Sequence, residues 1–265
     1  MAEYKITAIK TGNITVPKAG ITYMSGFDKT ITVPVWVAAI EGNGIKALLD
    51  SGIRNQYKWE KYSPHWANEG ETLQAGLAEI GWNLADIDIV FNSHLHYDHA
   101  ENNTLFKNSR LVVSRAEWEY AKHPIPSQTW LYDFEWTDEH VTEDKYELIA
   151  IDNYEFLPGL NLIQTPGHSR GHQSLLVNTG EGVVCIAGDA ACLPENFSRP
   201  TPPAGATSIE QGFDSLEKIR NSSHFVFMNH DPNINKFQTG NFLPVPAAYS
   251  ELPTHLIDTL PGRGH

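Results

Sequence analysis

The chain has 265 residues, which is long enough to bury a substantial core in one large domain or two small ones. Its composition, 41 % hydrophobic and 19 % charged residues, excludes wholesale disorder and a coiled coil. The net charge of −13 disfavours nucleic acid and anionic membranes as partners, because both require a basic surface. The sequence has neither a membrane-spanning apolar run nor a signal-peptide pattern, so we expect a cytoplasmic protein without a membrane partner.

The N-terminal half is predicted to begin with strands. Three segments carry the β-branched and aromatic residues that are typical of strands, namely 4–10, 31–40 and 45–50. Residues 71–81 place leucine and isoleucine at helical spacing and end in glycine, which predicts a helix. An apolar strand over residues 87–93 then leads into the sequence HLHYDH, and a short helix and a strand are expected to follow it.

The C-terminal half repeats the order of strands followed by a helix. Residues 123–146 interrupt the pattern with proline, acidic and aromatic residues, and we interpret them as an insert. Short strands are expected between residues 147 and 188, a helix over 208–220 and a strand over 224–229. Residues 231–265 are rich in proline and are interpreted as a tail. This order predicts a β-sandwich covered by helices on both sides.

The strongest chemical signal directly follows the strand over 87–93. His94, His96, Asp98 and His99 are four potential metal ligands within six residues, and burying them without partners would be costly. In an extended segment side chains two residues apart face the same way, so His94 and His96 can bind one ion. Asp98 and His99 lie where the chain turns into a helix and can bind another.

Three further candidate ligands occur later in the chain. His168, Asp189 and His230 each follow a predicted buried strand, so all three can reach the same sheet edge as the first cluster. Together the groups would form two sites of imidazoles and carboxylates, which favours zinc over iron, manganese or cobalt. No thiolate is required, and Cys185 and Cys192 have the spacing of neither a disulfide framework nor a CxxC motif.

These motifs resemble those of the metallo-β-lactamase superfamily. The segments HLHYDH, TPGHSRGHQS, AGDA and NHD carry the resemblance over about residues 30–232. Within the superfamily, PGHSRGHQSL and the later ENF are similar to the N-acyl homoserine lactonase group. The resemblance implies an αββα sandwich. We expect a single α+β domain over residues 1–265 with an insert at 123–146 and a tail at 231–265, two segments that the family pattern does not clearly match.

The resemblance also implies a dinuclear zinc site and its ligands. The first zinc ion would be held by His94, His96 and His168, the second by Asp98, His99 and His230, with Asp189 bridging the two. Asp50 matches a position where a carboxylate orients a ligand imidazole, with capping of the next turn as the alternative. His172 resembles a residue that stabilises its own segment of the chain rather than a metal ligand. A hydroxide shared by the ions would attack the substrate, and Asp98 or a water would return the proton to the leaving group.

The sequence departs from the lactonase pattern at Cys192. The lactonase group has a tyrosine there that assists the substrate carbonyl, and a thiol is a weak donor. Either another group, such as Tyr97, supplies the donor, or the substrate differs. Cys192 is interpreted as a reactive thiol or as a small residue that leaves room for a ligand. Trp59, Trp66 and Trp130 are candidates to line an apolar substrate pocket, with a small core under the loops as the alternative.

Three functions are compatible with such a site. The first is opening of a small lactone, such as an N-acyl homoserine lactone, by a dinuclear zinc hydrolase. The second is hydrolysis of an isothiocyanate, a cyclic amide or a thioester by the same site, because the metals alone do not select a substrate. The third is metal-dependent binding without turnover. The expected partner is a small-molecule substrate, and a homodimer is compatible with the sequence.

Overall fold

The computed structural model describes residues 2–54, 65–68, 70–132, 145–199 and 201–247. These residues form two β-sheets that pack face to face and carry helices on their outer faces. No helix in the described residues is both long enough and apolar enough to cross a membrane.

The first sheet contains seven strands. In spatial order they are β4 (His65–Trp66), β1 (Lys5–Pro17), β2 (Thr30–Gly42), β3 (Ile45–Leu49), β5 (Ile89–Phe91), β6 (Arg110–Ser114) and β7 (Tyr146–Ile149). The pairs from β4 to β3 are antiparallel, and those from β3 to β7 are parallel. Parallel pairing requires crossover connections, and these carry the helices that cover this sheet.

The second sheet contains six strands. In spatial order they are β13 (Leu243–Pro244), β12 (Phe225–Phe227), β11 (Gly182–Ile186), β10 (Gln173–Thr179), β9 (Leu160–Gln164) and β8 (Tyr154–Leu157). The neighbours pair antiparallel except β11 and β12, which are parallel.

The main core lies between the two sheets and follows the alternation of side chains along each strand. Trp36 and Ile40 of β2 belong to this core, whereas Val37 between them packs in the cluster that contains helical residues on the outer face. In the second sheet, Leu175 of β10 faces the first sheet and Leu176 faces outward. Both faces of each sheet are therefore buried, as an αββα sandwich requires.

Six α-helices lie in the described residues. They are α1 (Lys18–Ile21), α2 (Leu73–Glu79), α3 (Tyr97–Ala100), α4 (Arg115–Lys122), α5 (Glu195–Ser198) and α6 (Ile209–Ser222). Helices α2 and α4 pack on the first sheet, and α6 packs on the second through Leu216 and Ile219. Thr72, Ser114 and Ser208 cap these three helices, each accepting a hydrogen bond from the amide three residues later.

The structure confirms the predicted αββα sandwich and changes the ends of several elements. Strand β1 extends to Pro17, well beyond the predicted end at residue 10, because it continues along β2 past an irregularity between Lys10 and Gly12. In the predicted tail, Ile234 and Phe242 belong to the core between the sheets, and β13 pairs with β12. The predicted insert is described only in its first ten residues and its last two. The division into one domain stays a prediction.

Candidate metal centre

The carboxyl ends of several strands meet at one edge of the sandwich. In the first sheet β3 and β5 are parallel, and they lead to Asp50 and to residues 94–99. In the second sheet β9 and β11 run in the same direction, because both are antiparallel to β10, and β12 is parallel to β11. These three strands lead to His168, Asp189 and His230. The chain therefore brings polar side chains from distant segments to a single edge.

Three imidazoles form the first group of candidate ligands. His94 Nε2 and His168 Nε2 each lie 2.9 Å from His96 Nδ1. His94 and His96 are buried, and the side chain of His168 is 10 % exposed. Three nitrogens that face one another in this way can bind a single metal ion.

The second group consists of Asp98, His99 and His230. His99 Nε2 and His230 Nε2 each lie 3.6 Å from Asp98 Oδ2. The ligand atoms of these three buried residues lie within 4.8 Å of one another, which is close enough to bind one ion.

Asp189 lies between the two groups. Its Oδ1 is 3.4 Å from His99 Nε2 and 3.2 Å from His230 Nε2, whereas its Oδ2 is 3.4 Å from His168 Nε2. One carboxylate oxygen thus faces each group, as expected for a carboxylate that bridges two ions.

Hydrogen bonds outside the centre set the orientation of its imidazoles. His99 Nδ1 donates to Asp50 Oδ2 at 2.7 Å, and His230 Nδ1 donates to the carbonyl oxygen of Pro34 at 2.8 Å. A ring that carries its proton on Nδ1 presents the lone pair of Nε2. When neutral, both rings therefore direct the lone pair of Nε2 towards the centre.

Asp50 is the acceptor for four hydrogen bonds. It accepts from the amide of Ser93 at 2.7 Å, the hydroxyl of Ser93 at 2.9 Å, His99 Nδ1 at 2.7 Å and Asn229 Nδ2 at 3.1 Å. The side chain is buried, and its backbone has a φ of 64°, a conformation that aspartate tolerates better than most residues. These are the contacts of a carboxylate that orients an imidazole.

His172 uses both of its ring nitrogens away from the metal ligand side chains. Nδ1 donates to Thr165 Oγ1 at 2.9 Å, and Nε2 accepts the amide proton of Asp189 at 2.9 Å. Burial lowers the pKa of His172 to about 3, so the ring stays neutral and can accept this bond. Gly188 has a φ of +55°, and a Cβ atom there would lie 2.6 Å from Ser93 Cβ, so only glycine fits.

The charges at the centre divide the imidazoles into two kinds. Burial and neighbouring imidazoles hold the pKa of His94 and of His96 well below the ordinary value. Burial would also lower the pKa of His99, but Asp189 and Asp98 outweigh it and raise the pKa well above that value. The same carboxylates raise the pKa of His230 against the effect of burial. The second group therefore has a high affinity for positive charge.

The residues at this edge fit metal ions. His99 Nε2 and Asp189 Oδ1 are buried and have no hydrogen-bond partner among the described residues. Such atoms are costly to bury unless another group satisfies them. Five imidazoles and two carboxylates also form the donor set that zinc prefers.

A cavity of about 310 Å³ opens onto the candidate ligands, near the lower limit for small-molecule sites. Its polar lining includes His96, Asp98, His168, Asp189 and His230. Its apolar lining includes Ile14, Val16, Pro17, Ile21, Trp130 and Leu131. The cavity therefore suits a small substrate with an apolar substituent beside its reacting group.

The sequence and its relatives identify the family. The chain matches the metallo-beta-lactamase superfamily over residues 31–225. It belongs to this superfamily. An N-acyl homoserine lactonase of Bacillus cereus is 28 % identical over 247 residues, which cover 87 % of this chain and 94 % of the relative. The N-acyl homoserine lactonase AttM of Rhizobium radiobacter is 25 % identical over 273 residues, or 94 % of this chain and all of the relative.

A solved structure shows the same likeness. It is an N-acyl homoserine lactone hydrolase with the product N-hexanoyl-L-homoserine bound at its catalytic metal centre. Its TM-score to this chain is 0.77 at 27 % identity, and the alignment covers 91 % of this chain and 100 % of the other. As a member of the metallo-β-lactamase superfamily with these relatives, the chain is a metal-dependent hydrolase. The alternative of a binding protein without turnover is therefore set aside.

Only some of the predicted substrate-pocket residues line the cavity. Tyr97 and Trp130 line the cavity, with ring centroids 6.3 Å apart. Trp59 and the side chain of Trp66 lie outside the described part of the chain. Cys192 has no exposed surface and is not among the residues that line the cavity.

The environment of Cys192 favours a space-filling role in this member of the metallo-β-lactamase superfamily. It packs in a buried cluster with Tyr97 and Ile21. Burial, together with Asp189 and Asp98, raises the pKa of its thiol well above the ordinary value. The thiol therefore stays protonated at neutral pH.

Three residues that contact the candidate ligands or their segments were not predicted from the sequence, namely Glu117, Tyr132 and Asn229. Glu117 lies three residues after Ser114, and a serine followed at this spacing by glutamate indicates a capping box. That signal predicts a glutamate that turns back to the start of its own helix. In the structure the Glu117 side chain instead accepts hydrogen bonds from Leu95 and from Ser169.

Proposed function

We propose that the protein is a dinuclear zinc hydrolase that opens small lactones, with N-acyl homoserine lactones as the first substrates to test. The observation that carries this proposal is the position of Asp189, whose two oxygens face separate groups of imidazoles beside an apolar cavity. The lactonase activity of relatives that align with most of the chain supports the choice of substrate.

The proposed ligands divide as the geometry groups them. His94, His96 and His168 would hold the first zinc ion, Asp98, His99 and His230 the second, and Asp189 would bridge them. When bound, two zinc ions supply hydroxide at neutral pH and polarise the carbonyl under attack.

Asp98 is the proposed proton carrier. Its carboxylate lines the cavity, and its Oδ2 lies 3.6 Å from both His99 Nε2 and His230 Nε2. From this position Asp98 can hold a proton at the carboxylate and return it to the alkoxide that leaves when the ring opens. The apolar lining of the cavity would bind the substituent of the lactone and exclude water from it.

Hydrolysis of an isothiocyanate, a cyclic amide or a thioester is the second candidate function. The observation that favours it is the burial of Cys192, where the lactonase group has a tyrosine that assists the substrate carbonyl. A buried thiol supplies no comparable donor to the cavity. Tyr97, which lines the cavity, is the candidate to replace it if the substrate is a lactone.

A pH-stat assay of the zinc-loaded protein tests the two candidates together. The probes are N-hexanoyl-L-homoserine lactone, a thioester and a simple alkyl isothiocyanate, together with a cyclic amide whose zwitterionic product requires no titrant and is detected by chromatography. Lactone opening releases a proton, whereas hydrolysis of an isothiocyanate to an amine consumes one, so the two reactions require titrant of opposite sign. We expect base consumption with the lactone.

Matched histidine variants control for the metal site. His96→Ala should abolish turnover, whereas His123→Ala, which alters an exposed histidine at the end of α4, should turn over as the wild type does. Acid consumption with the isothiocyanate alone would replace the first candidate by the second. Lactone turnover at the full rate in His96→Ala would overturn the proposed site.

A further inference from the structure

We propose that Glu117 is a positioning residue for the first metal ion, because its buried carboxylate joins the two loops that carry His94, His96 and His168. The proposal rests on the ligand division proposed above. The ligands of the first ion would then be supported by a buried carboxylate, just as His99 is oriented by its hydrogen bond to Asp50.

The contacts of Glu117 reach both ligand-bearing loops. Its Oε1 accepts hydrogen bonds from the amide of Leu95 at 3.1 Å and from the hydroxyl of Tyr132 at 2.9 Å. Its Oε2 accepts from the hydroxyl of Ser169 at 2.6 Å and from the amide of Gly171 at 3.3 Å. Leu95 separates the first two ligands and Ser169 directly follows the third, so one side chain connects all three.

Tyr132 adds a second path from Glu117 to His96. Its hydroxyl is held by the Glu117 carboxylate, and its ring meets the ring of His96 edge to face, with centroids 4.7 Å apart at 74°. Glu117 therefore restrains His96 through the backbone of Leu95 and through an aromatic contact with the imidazole. Leu95 and Tyr132 both lie outside helix α4, so these contacts indicate a role beyond the stability of that helix.

The backbone of the loop that carries His168 also lies close to the backbone of α4. A Cβ atom on Gly171 would lie 1.8 Å from the amide nitrogen of Glu117, so the loop rests directly on the first turn of α4. Ser114, the N-cap of this helix, donates its hydroxyl proton to the carbonyl oxygen of Gly171. The loop that carries His168 is thus fixed to α4 by its backbone as well as by the Glu117 carboxylate.

The substitution Glu117→Gln exploits the chemistry of this arrangement. A carboxylate is only an acceptor, and four donors satisfy its two oxygens. An amide keeps the size of the side chain but places an NH₂ group against two of those donors. The hydroxyl of Tyr132 or Ser169 can rotate and accept from this NH₂ group, but a backbone amide can only donate. The loop of Leu95 or of Gly171 then loses its backbone hydrogen bond to the side chain, and its ligands lose their fixed positions.

Zinc titration against a chromophoric chelator, without any substrate, tests the proposal. We expect two dissociation constants for the wild type and a 10- to 100-fold increase in one of them for Glu117→Gln, the usual effect of losing a partner that orients a ligand. Asp50→Asn should raise one constant as well. The double variant should raise both, because Glu117 contacts only the loops of the first group, whereas Asp50 accepts a hydrogen bond from His99 of the second. In a cobalt(II)-loaded sample, each single variant should likewise change the visible absorption that arises from one of the two ions.

Glu71→Gln is the matched control. Glu71 is also buried and accepts hydrogen bonds from Asn68 and Asn13, but none of its recorded hydrogen bonds or ion pairs involves a candidate ligand. It should lower the melting temperature and leave both dissociation constants unchanged. If Glu117→Gln does not fold, Tyr132→Phe and Ser169→Ala each remove one donor and should each produce a smaller increase in the same constant.

Three results would overturn the proposal. The first is unchanged zinc affinity in folded Glu117→Gln, and the second is an equal loss of affinity in Glu71→Gln. The third is a double variant in which only one constant rises. Because the titration uses no substrate, a wild type that binds two zinc ions without opening lactones would refute the proposed function and leave this inference standing.

Discussion

Single hydrogen bonds decide whether an imidazole at the sheet edge can act as a ligand. His99 can present its Nε2 lone pair because Asp50 accepts a hydrogen bond from the protonated Nδ1. In Asp50→Asn an amide offers one acceptor oxygen to four donors, and an NH₂ group that faces His99 moves the ring proton to Nε2. We expect this variant to retain one zinc ion per chain instead of two after dialysis, measured by atomic absorption. Retention of two ions would contradict the role of Asp50.

The raised pKa values of His99 and His230 predict a pH dependence of metal binding. Burial opposes the shift, but Asp189 and Asp98 raise both pKa values above the ordinary value, so in the metal-free protein these rings bind a proton more readily than an ordinary imidazole does. A metal ion must displace these protons, and the protonated fraction grows as the pH falls. Zinc affinity should therefore decrease from pH 8 to pH 6, with proton release at pH 7.

Isothermal titration calorimetry in two buffers with different ionisation enthalpies measures this proton release directly. The expected observation is a binding enthalpy that changes with the buffer in proportion to the protons released. A buffer-independent enthalpy, together with an affinity that stays constant between pH 6 and pH 8, would contradict the charge arrangement described for the second group.

The convergence of the candidate metal ligands was predictable from the sequence because its signal is local. Four of them lie within six residues, and the others directly follow apolar strands whose ends meet at one edge. The partners that orient them carry no such signal. Asn229 reaches Asp50 across 179 positions, and Glu117 reaches Ser169 across 52, so only the folded chain brings them together.

At the scale of elements, the position of α4 against the His168 loop depends on one glycine. Gly171→Ala places a methyl group against the backbone of Glu117, which should lower the free energy of unfolding by about 3 kcal/mol and weaken zinc binding. Gly180→Ala is the control, because a Cβ there makes only an ordinary contact of 3.7 Å with Glu3. Urea denaturation should show a change within about 0.5 kcal/mol for the control. Equal stability of the two variants would contradict the close approach.

Element boundaries were less predictable than the elements themselves. The helix expected over 208–220 occurs as α6, because its apolar stripe and its N-cap Ser208 are both local features. Strand β1 was predicted too short, since Gly12 and Asn13 suggest a turn, but pairing with the full length of β2 extends it to Pro17. Tertiary pairing overrides local propensity at such positions.

At the scale of the whole molecule, the candidate metal centre joins the two sheets. His94, His96, Asp98 and His99 follow a strand of the first sheet, whereas the other three candidate ligands follow strands of the second. Each ion that binds only the folded chain should therefore stabilise it by about 4 kcal/mol when present at about a thousandfold excess over its dissociation constant. For a chain of this size that corresponds to about 10 °C for each ion.

Differential scanning calorimetry with and without a zinc chelator measures this contribution. The melting temperature should fall by about 10 °C for each ion that chelation removes and recover when zinc is restored. An unchanged melting temperature, in a sample shown to have lost its metal, would contradict the view that the ions hold the two sheets together.

A zinc-edge anomalous difference map from a crystal of the metal-loaded protein tests the central claim most directly. We predict two peaks at the sheet edge, one about 2.0 to 2.1 Å from nitrogens of His94, His96 and His168, and the other at Asp98, His99 and His230, with Asp189 between them. A single peak, or peaks away from these seven side chains, would contradict the dinuclear centre and the hydrolytic function built on it.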